Sequence, residues 1–184
     1  VYGRQLFPEL LLGETLAQPE SSGKTLFEND GVRLWCLPTV DAGIGIISFR
    51  SKMHAIGDEV VDGVLAALKQ AAGSLDGLVI WHDAPFAVGA NLKQISDACV
   101  AGDFDRLEQT VAKFQQATMA VKYAPIPVVA AVQGMALGGG CEFAMHAAKR
   151  VLALESTLGL VEVGVGLIPA GGGCKELALR AARW

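Results

Sequence analysis

The stretch PIPVVAAVQGMALGGGCE, Pro125 to Glu142, places a carboxylate directly behind a glycine triplet, which itself follows a run rich in β-branched residues. Val128 to Val132 reads as a short buried strand entered through Pro125 and Pro127. Gly134 and then Gly138, Gly139 and Gly140 break that run, and CEFAMHAAKRVLAL begins as a good helix former. The order is strand, glycine turn, helix start, with Glu142 on the first helical turn. Glycine allows a ligand to approach the backbone, because no Cβ stands in the way. The unpaired N–H groups of a helix start point outward and favour negative charge. These parts could hold an oxygen that becomes anionic, with Glu142 close by to move a proton.

Two further stretches carry glycines at close spacing: Phe86 to Asn91 (FAVGAN) and Gly159 to Gly173. Alone, each reads more readily as a simple turn than as a functional loop. None fits G-x-G-x-x-G between a strand and a helix, so no dinucleotide site is expected here. SSGKT, Ser21 to Thr25, has the end of a phosphate-binding loop, but Gln18 stands at the first glycine position and no strand precedes it. Glu142 and His146 stand at i, i+4 and could face one metal, although a helical histidine among alanines is more simply packing; no metal is expected. His54 and His82 have no acidic neighbour in sequence and read as structural. Phe114, Met119 and Val121 read as helix core ahead of pocket wall.

Positioning these residues requires a frame. Val32 to Leu37 and Gly43 to Phe49 read as strands, with Asp41-Ala42-Gly43 as a turn between them. Asp58 opens a helix whose Val60, Val61, Val64, Leu65 and Leu68 share one face, with Gly73 at its end. Leu78 to Trp81 reads as a short buried strand. Phe104 to Tyr123 is amphipathic and stops before Pro125, as the restriction on residues preceding proline predicts. Arg150 to Leu154 reads as a strand, and a last helix starts near Lys175. Strands alternating with helices argue for an α/β layered fold with mainly parallel strands. There is no internal repeat.

The 184 residues are enough for one domain with a sizeable core, and 18% charged residues against 52% hydrophobic ones exclude disorder. A net charge of −4 with no basic cluster beyond Lys149-Arg150 gives nucleic-acid binding no support. No apolar run approaches the ~18 residues that span a bilayer, and no signal sequence opens the chain, so a cytoplasmic setting is expected. Cys36, Cys99, Cys141 and Cys174 lack C-x-x-C spacing and read as reduced thiols in small apolar slots. Residues 1–30 read as a linker or the tail of a preceding domain, and 31–184 as the folded domain. Val1 and Trp184 both read as cuts in a longer polypeptide.

FAVGANLKQI, PVVAAVQGMALGGGCE and GLVEVGVGLIPAGGG resemble, in order and spacing, the core motifs of the crotonase superfamily, typified by enoyl-CoA hydratase. The resemblance runs from about Gly43 to Leu179. Asn91 stands where the family usually has Asp, and Val161 where it usually has Pro. That wording most resembles the hydratase region of a bacterial multifunctional 3-hydroxyacyl-CoA dehydrogenase. The resemblance implies a layered β-β-α crotonase-like fold, incomplete before the C-terminal trimerisation helices, and a homo-oligomer. It implies an acyl-CoA thioester substrate, hydrated from trans-2-enoyl-CoA to 3-hydroxyacyl-CoA in fatty-acid β-oxidation. The rivals are a Δ3,Δ2-enoyl-CoA isomerase and a non-catalytic acyl-CoA-binding module. It also implies roles: the N–H groups of Ala90 and Gly139 as an oxyanion hole, Glu162 as proton donor to C2, and Glu142 as the residue that orients and activates water. Ala87, Gly89, Asn91, Leu92, Lys93, Gly138 and Gly140 would line the substrate, and Lys93 could reach the CoA phosphates. No cofactor is implied within these residues; NAD would serve only a dehydrogenase elsewhere in the parent polypeptide.

Overall fold

The computed structural model describes residues 23–182. Lys24–Glu28 (β1), Val32–Leu37 (β2) and Asp41–Phe49 (β3) form an antiparallel meander. Among the described residues, Lys52–His54 and later Glu162–Val165 form 3-10 turns. Asp58–Ala71 (α1) crosses to Gly77–Ile80 (β4), and Leu92–Ala101 (α2) and Phe104–Lys122 (α3) cross to Val128–Val132 (β5). Met135–Leu137 (β6) leads into Gly139–His146 (α4), followed by Lys149–Leu152 (β7), Thr157–Gly159 (β8) and Gly173–Ala181 (α5). The main sheet has six strands in the order β1-β2-β3-β4-β5-β7, parallel from β3 onward. β6 and β8 form a second, two-stranded parallel sheet.

The α/β layering matches the expectation, with the parallel half of the sheet made by the helical crossovers. The first turn differs: it lies over Leu37 to Val40, where the Val40 N–H donates to the Leu37 carbonyl at 2.9 Å. Asp41 already belongs to β3, and its side chain accepts the Gly43 N–H at 2.8 Å. Part of the stretch read as a linker is also structured. β1 pairs with β2 through a register shift between Thr25 and Phe27. It is an edge strand with exposed ends, so it lacks the apolar run that would have marked it. The sheet of this domain therefore starts before residue 31. Lys24 and Thr25 enter that strand rather than a helix, which removes the phosphate-loop reading; Ser21 and Ser22 lie outside the described residues.

The core sits between the sheet and the helices that cover it. α1 turns Val60, Val61, Val64, Ala67 and Leu68 inward, against Val32, Leu34 and Ile47. Burying each large aliphatic side chain there contributes roughly 1.5–3 kcal/mol. Gly63 lets α1 come this close, since an added Cβ would stand 2.6 Å from the Val32 Cβ. α3 starts at an Asp103 cap, whose carboxylate accepts the Arg106 N–H at 3.0 Å, and buries Ala117, Thr118 and Val121. Cys36 and Cys141 are buried, whereas Cys99 and Cys174 are exposed, so the apolar-slot expectation holds for only two of the four.

Candidate functional site

The short second sheet does the positioning. β6 feeds through Gly138 into α4, which carries Glu142, and β8 feeds into the turn that carries Glu162. Their pairing, Met135 to Thr157 through Leu137 to Gly159, continues in a Gly138 N–H to Gly159 carbonyl bond of 2.8 Å. Two carboxylates twenty residues apart in sequence thus flank one cavity. On the other side of β6, Ala87 bridges to Ala136, donating to the Met135 carbonyl and accepting from Leu137, both at 2.9 Å. The loop from Phe86 to Asn91 is thereby laid beside the start of α4.

That closeness depends on glycine at two positions. Gly89 has φ +105°, and a Cβ there would stand 3.1 Å from the Leu137 carbonyl oxygen. Gly140 needs the absence of a side chain, because a Cβ would stand 2.6 Å from the Ala87 Cβ.

Ala90 lies opposite Ile56 in a parallel bridge. The Ile56 N–H donates to the Gly89 carbonyl at 2.8 Å, and the Asn91 N–H donates to the Ile56 carbonyl at 2.9 Å. Alternation along the strand then turns the Ala90 N–H away from Ile56. Gly139 is the first residue of α4, where an N–H has no acceptor within the helix. Among the described residues no acceptor takes either N–H, and both residues line the cavity that Glu142 and Glu162 share. The cavity measures about 610 Å³ and its walls are largely apolar, including Val61, Ile95, Val111 and Phe114.

Glu142 is 2% exposed. Burial pushes its pKa up to about 7, Glu162 adds to the rise, and backbone N–H groups of Gly173 and Gly171 oppose it. The Gly173 N–H donates to the Glu142 Oε1 at 2.8 Å. The Glu162 Oε2 is buried and has no hydrogen-bond partner among the described residues. Such an atom costs free energy unless a ligand or water supplies a donor. Burial, with help from Glu142 and Glu162, also raises the Cys141 thiol, which stays protonated.

The structure places the sequence-derived residues unequally. Gly89, Ala90, Asn91, Leu92, Gly138, Gly139, Glu142 and Glu162 line the cavity. Ala87 and Gly140 are buried behind its wall, packed on each other, and do not line it. Lys93 also lies outside it, exposed, with its Nζ 2.7 Å from the Asp97 Oδ2. Asn91 caps α2 through its backbone only. Val161 lines the cavity with φ −109°, outside the range a proline ring allows. His146 turns its Nδ1 to the Glu142 backbone carbonyl at 2.7 Å, and no group of three metal-ligating side chains occurs among the described residues. Sequence reasoning underrated Phe114, which lies between Gly139 and Gly171 on the cavity wall. It also gave no role to the glycines that close the third stretch, although the backbone of Gly173 and Gly171 supplies the donors to Glu142.

The enoyl-CoA hydratase/isomerase family model matches residues 39–182. A protein of Bacillus subtilis (strain 168) named probable 3-hydroxyacyl-CoA dehydrogenase is 38% identical over 170 residues, covering 91% of this chain and 21% of that protein. The chain spans about a fifth of the length of the curated relatives it matches. The crystal structure of an enoyl-CoA hydratase from Polaromonas sp. JS666 superposes with a TM-score of 0.71 at 25% identity, covering 85% of this chain and 58% of that one. One from Geobacillus kaustophilus HTA426 gives 0.74 at 20% identity, over 83% and 57%, which shows the shared fold.

Proposed function

This chain belongs to the enoyl-CoA hydratase/isomerase family, and from that premise we propose that it hydrates trans-2-enoyl-CoA to 3-hydroxyacyl-CoA in fatty-acid β-oxidation. One observation carries the reading: two carboxylates and two unclaimed backbone donors meet at one apolar cavity. In this reaction the thioester carbonyl accepts the Ala90 and Gly139 N–H groups. As water adds at C3, charge moves onto that oxygen, and donors already in place need no rearrangement to stabilise it. Losing one such donor costs ~2.7–4 kcal/mol of barrier. Glu142 orients the water and takes its proton; a carboxyl near pKa 7 is a stronger base than an ordinary one. Glu162 delivers a proton to C2. The apolar walls exclude bulk water and take the acyl chain. The proposed chemistry uses carboxylates, backbone and water.

The same reading assigns the chain to a longer polypeptide with an NAD-dependent 3-hydroxyacyl-CoA dehydrogenase, which would oxidise the product. Its support is the Bacillus subtilis relative and the fifth of that protein's length covered here. Association into a homo-oligomer belongs to the reading as well, since exposed Val151, Leu152 and Leu154 form apolar surface that a second copy would cover.

The test is loss of enoyl-thioester absorbance with crotonyl-CoA, using the full-length natural polypeptide with Glu142→Gln and Glu162→Gln beside it. An active parent with both variants slowed by orders of magnitude supports the hydratase. Conversion of a 3-enoyl thioester to the 2-enoyl isomer without hydration would make the domain an isomerase. Binding of the thioester with neither reaction would make it a binding module.

A further inference from the structure

Glu142 is held by a turn that is itself held from behind. The Gly171–Gly173 backbone approaches the carboxylate: a Cβ built on Gly171 would lie 2.5 Å from the Glu142 Oε2, and the Gly173 N–H bonds its Oε1. On the far side, α3 takes the carbonyls of the same turn. The Gln115 Nε2 donates to the Ala170 carbonyl at 2.7 Å, and the Thr118 hydroxyl shares its one proton between the Gly171 carbonyl at 2.9 Å and the Gln115 carbonyl of its own helix at 3.0 Å. A trans peptide is planar, so its C=O and N–H point in opposite directions. Fixing the Ala170 carbonyl toward α3 therefore aims the Gly171 N–H at Glu142. The Gly172 carbonyl accepts the Glu176 N–H at 2.9 Å in the first turn of α5, which aims the Gly173 N–H the same way.

We propose that Gln115 and Thr118 are positioning residues for Glu142, holding the Ala170–Gly173 turn so that its N–H groups bond the carboxylate. Neither side chain bonds Glu142 directly. Their influence passes through the backbone and reads out as the protonation of Glu142. Donors to the charged form lower a carboxyl pKa, so releasing the turn raises it. The other ionisable groups around this point are Cys141 and His146 on α4, Glu162 on its 3-10 turn, Lys122 on α3, and Lys175 and Glu176 on α5. None is altered by the substitutions below.

The experiment is a carboxyl-detected NMR titration of the full-length protein labelled with ¹³C-glutamate, the Glu142 signal being assigned by its disappearance in Glu142→Gln. Thr118→Val and Gln115→Ala are expected to raise the Glu142 midpoint by roughly one unit. Thr118→Ser keeps the hydroxyl and Gln116→Ala alters an exposed neighbour, so both should match the unsubstituted protein. Gln115 is exposed, which keeps its variant folded even if Thr118→Val is not. An unmoved midpoint in Gln115→Ala, or an equal rise in Gln116→Ala or Thr118→Ser, overturns the proposal. The proposal rests on the hydratase reading only for its consequence. In the hydration assay the acid limb of kcat/KM should move with the midpoint while the plateau stays. A Glu142→Gln variant that hydrates at full rate would sink that reading and leave the titration result standing.

Discussion

His82 and Glu142 are both almost wholly buried, and burial drives each toward its neutral form, His82 down to about 3 and Glu142 up to about 7. Their surroundings differ in one respect. The His82 Nδ1 accepts the Phe49 N–H at 3.3 Å, and its Nε2 makes a short contact with the Phe86 carbonyl. Both bonds are met when the proton sits on Nε2. The ring is flanked by His54 at 4.0 Å between centroids and by Phe49 and Phe86. His54 in turn is bonded to the Pro85 carbonyl at 2.6 Å. Around Glu142 the polar capacity is incomplete: the Glu162 Oε2 and the Ala90 and Gly139 N–H groups have no partner among the described residues. A perturbed pKa therefore marks burial. Unspent hydrogen-bonding capacity facing a cavity is what separates the candidate site from a packed histidine.

The largest expected effect breaks the comparison if it fails. Glu142→Gln should lower the hydration rate about 10²–10⁴-fold, the range for losing a positioned acid–base group. His82→Asn should leave the rate per folded molecule within a few-fold and lower stability instead. Steady-state kinetics beside urea denaturation separates the two. Equal rate losses would place the histidine pair in the catalytic machinery.

The two groups should also leave opposite marks on stability. The folded protein keeps a proton on Glu142 up to about pH 7, whereas the unfolded chain releases it near the ordinary 4.5. Between those values the folded state binds more protons, so stability falls as pH rises. For His82 the unfolded chain takes a proton below about 6.5 and the folded one only near 3, so stability falls as pH falls through that window. Either group accounts for on the order of 3–5 kcal/mol across its window. Urea melts should show Glu142→Gln gaining on the unsubstituted protein from pH 4.5 to 8, and His82→Asn gaining from pH 7 to 4. A pH-independent difference would mean that the group titrates as it does in water.

A smaller effect tests the backbone half of the site. Gly140→Ala would set a Cβ 2.8 Å from the Ala87 carbonyl oxygen, a backbone atom that can yield only by moving the Phe86–Asn91 loop. Overpacking of this kind costs about 1–3 kcal/mol, and here it should also lower kcat by displacing the Ala90 donor. Gly164→Ala meets nothing within 4 Å and should change neither quantity. If Gly140→Ala lowers stability and leaves kcat intact, the two loops are not coupled in the way the packing implies.

What could be read in advance divides along the same line. β5 was legible because a buried β-branched run carries its own signal, β2 because it is a short, mostly apolar run, and α1 because its apolar face repeats at helical spacing. Glu142 was legible through the glycines before it. Glu162 rested on resemblance alone, since its place beside Glu142 is fixed by the β6–β8 pairing. Three-residue strands are too short to show a period, so neither was seen. α2 went unread for a different reason: its apolar face, Leu92, Ile95 and Cys99, lines the cavity and not the core, and the helix buries only Ala98. The donors from Gly171 and Gly173 are backbone groups, invisible to any inventory of side chains.

The smallest expected effect concerns Lys93, the one sequence-derived substrate contact with a charge. The Lys93 side chain is 82% exposed, and its Nζ pairs with Asp97 one helical turn on. Exposed i, i+4 pairs contribute about 0.3–0.5 kcal/mol and weaken with salt. Lys93→Ala should thus change stability by no more than that, and should leave kcat unchanged. A phosphate contact would speak differently: KM for the CoA thioester would rise several-fold at low ionic strength, and the rise would shrink as salt is added. Measuring KM for crotonyl-CoA in both proteins at two salt concentrations decides the matter. A flat result leaves Lys93 as a solvated surface pair, outside the cavity as its position indicates. A salt-dependent rise would extend the site beyond the cavity, along the exposed side of α2, to the nucleotide end of the substrate.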